Sequence, residues 1–102
     1  MTIARYTTPS ITYKPSLTAV ADIDEIILVV SQGDYSITKT LADAVVNDGK
    51  YYWDLTQEET GALVKGKKGD IKIDYLTNAD KRYTTVKFFF DVSDSATDEV
   101  IS

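Results

Sequence analysis

The segment Asp54-Leu55-Thr56-Gln57-Glu58-Glu59-Thr60 constrains this chain most, because it prescribes one helical turn between stretches that otherwise alternate like β-strands. Thr56 and Glu59 have the Thr-x-x-Glu spacing of a capping box, in which each side chain satisfies a backbone N–H left free where the turn begins. Around it, side chains sort with period two. Tyr51, Trp53 and Leu55 oppose Tyr52 and Asp54, and Ile71, Ile73 and Tyr75 oppose Lys72 and Asp74. One row of each set faces a core and the other faces water. No segment is long or periodic enough to serve as a crossover helix, which argues against a parallel α/β fold. The expectation is an all-β chain: an immunoglobulin-like antiparallel β-sandwich with one short helical turn near Thr56–Thr60.

The clearest strand is Glu25 to Gln32, a run of aliphatic and β-branched residues closed by the turn residues Gly33-Asp34. Tyr35 to Leu41 alternates after it. Ala42 to Val46 is apolar and ends at Asn47-Asp48-Gly49, a turn signal because asparagine and glycine tolerate positive φ. Leu63 is expected to tuck under the sheet, and Lys65 to Gly69 to form a basic loop. Thr77 to Asp80 turns the chain into a last strand, Arg82 to Val92, with Val86, Phe88, Phe90 and Val92 inside and Lys87, Phe89 and Asp91 outside. At the start, Pro9 and Pro15 fix extended geometry. Residues 1–15 thus read as an extended arm whose segment 10–13 joins the sandwich as an edge strand, 16–92 as the sandwich, and 93–102 as an acidic flexible tail. Within that tail, Val100 and Ile101 hint at a docking contact.

At 102 residues the chain has room for one domain and one core. It contains no cysteine and no histidine, which removes disulfides, thiolate metal sites and the commonest neutral-pH proton shuttle. A formal charge of −5 disfavours nonspecific nucleic-acid binding. No apolar run reaches membrane-helix length and Met1 to Arg5 lacks a leader's apolar core. The expected site of synthesis is therefore a cytosol. Asp22, Asp24 and Glu25 lack the glycine and distal glutamate of a calcium loop. Glu58 and Glu59 are adjacent on a turn and point apart, and Lys65 to Gly69 lacks the motif of a phosphate loop. No catalytic, cofactor or metal site is expected, and the chain reads as a binding protein, not an enzyme. Four apolar residues fall where the alternation points them away from the core: Ile27, Val29, Tyr52 and Phe89. Together on one outer surface they would form a partner interface.

Several segments carry a resemblance in their order: Ile26 to Gln32 ending in Ser31-Gln32-Gly33, Lys39-Thr40-Leu41, Asn47-Asp48-Gly49, Asp54 to Thr60, Gly66, Ile71-Lys72-Ile73 and Tyr75-Leu76-Thr77. Across about residues 9 to 92 the chain resembles short β-sandwich proteins of tailed phages and prophages of Gram-positive bacteria. It is similar to the N-terminal module of phage upper baseplate proteins, which attaches receptor-binding machinery to the tail. Gly61-Ala62 departs from the larger residues usual after the cap, and no coiled segment follows the sandwich in this sequence. The resemblance implies a structural protein of the virion: a multi-copy adaptor or decoration subunit in the tail, baseplate, fibre or head. Its partners would be other phage structural proteins, with no nucleic acid and no membrane, and its site of synthesis the bacterial host cytoplasm. The alternatives are a host cell-surface module stacking Tyr35 or Tyr52 on glycan, and a small regulatory protein made during infection.

Overall fold

In the computed structural model, which describes residues 1–16, 18–85, 87–97 and 100, the alternating segments become nine strands. They are β1 (Thr2–Ala4), β2 (Ser10–Tyr13), β3 (Ile23–Gln32), β4 (Tyr35–Thr40), β5 (Val45–Asn47), β6 (Lys50–Asp54), β7 (Gly69–Thr77), β8 (Arg82–Thr84) and β9 (Phe88–Ser93). One helix, α1 (Gln57–Gly61), joins β6 to β7, and 3-10 turns cover Val20–Asp22 and Leu41–Asp43. The fold is all-β in two sheets. The larger is ordered β1-β9-β7-β3-β4, with β8 also paired to β7; the smaller is β2-β6-β5. The inner positions expected for Val86 and the contact expected for Ile101 lie outside the described residues.

The core forms where the inner rows meet. Ile26, Leu28 and Val30 of β3 and Ile71, Ile73 and Tyr75 of β7 are buried beneath Tyr51 and Trp53 of β6, with Leu55 and Leu63 beside them. Trp53 satisfies its indole N–H on the Thr40 carbonyl at 3.0 Å, as a buried indole must. At the β5–β6 reversal the residues with positive φ are Asp48 (52°) and Gly49 (72°), the pair that a tight hairpin requires. Gly69 is needed for space: it pairs with Phe90, and a Cβ there would run into the Phe90 ring.

Two expectations are corrected by the pairing. The sheets are not wholly antiparallel, because β1 runs parallel to β9, with Thr2 opposite Asp91 and Ala4 opposite Ser93. Leaving β1 at the end where β9 finishes lets the chain rise past α1 to Pro9, whose carbonyl accepts from Leu55 N at 3.0 Å. The N-terminal arm thus supplies a strand to each sheet, and Ile3 is only 1% exposed. The second correction concerns Arg82 to Val92, which divides into β8 and β9 on the same flank of β7. Asp74 pairs with Thr84, but Ile71 pairs with Phe88. The register shifts by one, so the inward parity changes from odd at Tyr83 to even at Phe88 and Phe90.

Candidate functional site

The large sheet brings three of the four interface candidates to one face. Ile27 and Val29 lie on the outer side of β3, and their cross-strand neighbours are Asp74 and Lys72 of β7 and Thr40 and Thr38 of β4. Phe89 lies on the same side of β9, opposite Asp70. Ile27 is 38% exposed and Phe89 61%, while Val29 is half-buried. The charged row Asp70, Lys72 and Asp74 runs between Phe89 and the β3 pair, so the apolar groups flank a charged stripe. Tyr52 is elsewhere. It sits on the outer side of the small sheet between Thr12 and Val45, on the opposite face of the molecule. The four do not form a single patch, because β6 and β3 belong to different sheets.

Shallow relief accompanies the outer face. A groove of about 410 Å³ is lined by Ile27, Val29, Ser31, Lys72, Arg82 and Lys87 among others. At one end Asp74 receives Arg82 Nη2 at 2.7 Å and the Thr84 hydroxyl. The Arg82 hydrogen bond and then that of Thr84 hold the Asp74 carboxyl below its ordinary range. This arrangement can bury apolar side chains against a neighbour and orient it by charge.

The remaining singled-out residues are largely used by the fold. Tyr35 donates its hydroxyl to the Glu59 carbonyl at 2.9 Å, and burial raises its pKa, so its polar edge is occupied. Glu59 completes the cap, accepting from Thr56 N at 2.8 Å, and pairs with Lys39 at 2.8 Å. In the basic loop Lys65 pairs with Asp94 at 3.2 Å and Lys68 with Asp91 at 3.1 Å. The loop is pinned by Gln32, whose amide donates to the carbonyls of Val64 and Lys67 and accepts from Val64 N. Among the described residues no group of three or more carboxylates is placed to hold a metal ion.

Sequence reasoning missed a second surface. Between β2 and the β7–β9 flank lies a cleft of about 630 Å³, lined by Ile11, Tyr13, Ile71, Ile73 and Phe88, with Lys87 and Phe89 at its lip. Phe88 has inward parity, opposite buried Ile71, and is nevertheless 48% exposed. The signal available in sequence was the triplet Phe88-Phe89-Phe90, more aromatic surface than a strand with one inner row can bury. Comparison with family models, with curated proteins and with solved structures finds no match to this chain.

Proposed function

We propose that the chain is an immunoglobulin-like β-sandwich serving as a non-enzymatic virion component of a tailed phage, an adaptor or decoration subunit bound to other phage structural proteins. One observation carries the reading: Ile27, Val29 and Phe89 stand on the outer face of a sheet whose inner face carries the core. Apolar side chains on a rigid outer face favour burial against a neighbour. Repetition in a symmetric particle lets a small contact hold through many copies. The resemblance of Asp54 to Thr60 and its flanking segments to phage β-sandwich modules supports the same assignment.

The test is incorporation. Mass spectrometry of purified particles is expected to find the protein at a fixed copy number. Val29→Lys and Phe89→Lys, both on the side away from the core, are expected to fold and to be lost from particles. A wild-type protein that stays free in the lysate overturns the virion reading; particles that retain both variants at full occupancy remove this face from the contact.

A further inference from the structure

The small sheet ends at β2 with its backbone open. Leu55 N donates to the Pro9 carbonyl, and β2 continues that register, Ile11 opposite Trp53 and Tyr13 opposite Tyr51. In an antiparallel ladder the hydrogen-bonded pairs alternate, so Ile11 and Tyr13 direct their backbone groups to β6. Ser10 and Thr12 direct theirs outward. Among the described residues no backbone hydrogen bond outside the ladder reaches Ser10 or Thr12. Beside these free groups lies the apolar cleft, with Ile71, Ile73 and the half-exposed Phe88 as its floor. At its lip Lys87 makes no ion pair among the described residues.

We infer that this edge is a docking site for an extended segment of a partner chain, which adds a fourth strand to the small sheet beside β2. The backbone specifies the shape of the occupant, because only an extended chain meets the N–H and C=O groups of Ser10 and Thr12 together. The floor specifies its pattern. Every second residue of the incoming strand points into the cleft, so aliphatic or aromatic side chains there cover Phe88 and Ile71, while the intervening residues are polar. Lys87 specifies an acidic residue at the end of the segment that reaches it. The inference goes beyond the virion proposal and holds for any partner strand of this chemistry.

The probe is a seven-residue peptide blocked at both ends, with valine at its second, fourth and sixth positions, threonine at the third and fifth, and glutamate at each terminus. Titrated into the isotope-labelled protein, it is expected to shift the amides of Ser10, Thr12 and Phe88 and to slow hydrogen exchange at Ser10 and Thr12. Thr12→Pro removes an outward N–H that the β2–β6 ladder does not use, so the fold is kept. It is expected to weaken the peptide by about tenfold, the loss of roughly one net hydrogen bond. Phe88→Asp, at a position already half in solvent, is expected to weaken it at least as much without touching the ladder. No amide shift at Ser10 to Tyr13 with peptide at millimolar concentration overturns the inference. So does binding that survives Thr12→Pro and Phe88→Asp unchanged.

Discussion

Thr60 shows how a single hydroxyl can hold a segment in place. It is fully buried, and its oxygen accepts from Thr7 N at 3.0 Å while donating to Thr7 O at 2.8 Å. One side chain therefore stands in for a strand neighbour of Thr7. Thr60→Val keeps the volume and removes both bonds, leaving a backbone donor and acceptor without partners. The expected cost is about 2–3 kcal/mol, measured as a lowered urea midpoint with unchanged slope. A change within about 0.5 kcal/mol, the range of an ordinary surface substitution, would show that water serves Thr7 equally well. The cap of Thr56 and Glu59 was legible in sequence because its partners are three residues apart. The role of Thr60, at the end of the same string, was not: its partner is 53 residues away. The same holds for Gln32, whose three bonds reach across a loop that composition alone presents as free.

Five residues of helix are too few to be stable alone, so α1 persists through what its side chains grip. Glu59 caps it and also pairs with Lys39 of β4, both side chains less than one quarter exposed. Burial pushes the Glu59 carboxyl up, but the Lys39 hydrogen bond and charge together with the Thr56 N–H and hydroxyl bonds outweigh it, and its pKa lies below the ordinary 4.5. The unfolded chain then binds the proton more readily than the folded one. The stability that Glu59 contributes is complete above about pH 4.5 and is lost as pH falls through the lower folded value. Glu59→Gln is accordingly expected to be less stable than wild type near neutrality, and the gap to close on acidification. Asp74 and Asp94, whose pKa values are also lowered, titrate in both proteins and cancel in the difference. Urea midpoints at neutral and acid pH decide it; a gap that stays constant would mean that the charge of Glu59 is irrelevant. At this scale most strands were readable, because β3, β4, β6 and β7 each bury one clean row. Arg82 to Val92 misled because a one-residue register shift leaves no mark in the alternation, and a single parity carried through it assigns Tyr83 to the wrong face.

For the whole molecule the governing fact is that two unequal sheets share one core. Three strands cannot cover the inner face of a larger sheet, and the shortfall is visible at both margins of the small one: Phe88 beyond β2, and Val46 of β5, opposite buried Tyr51 yet exposed. The N-terminal segment closes part of the gap. Its Ile3 is buried at the β1–β9 pairing, and Arg5 N donates to the Ser93 carbonyl at 2.8 Å. The polar composition of residues 1–16 hid this role, since two isoleucines eight residues apart among threonines give no period to read. Joining the first strand to the last also means closing nearly the entire chain as a loop, whose entropy is offset only once the rest of the sheet is in place. Ile3→Ala is therefore expected to destabilise the protein by about 2–5 kcal/mol, the usual cost of emptying a buried isoleucine site. The effect should fall on the unfolding rate, with refolding nearly unchanged, because β1 docks after the main barrier. Stopped-flow kinetics against urea separate the two. Refolding slowed in proportion to the lost stability would place the β1–β9 ladder in the folding nucleus, and a variant as stable as wild type would return the segment to a detachable arm.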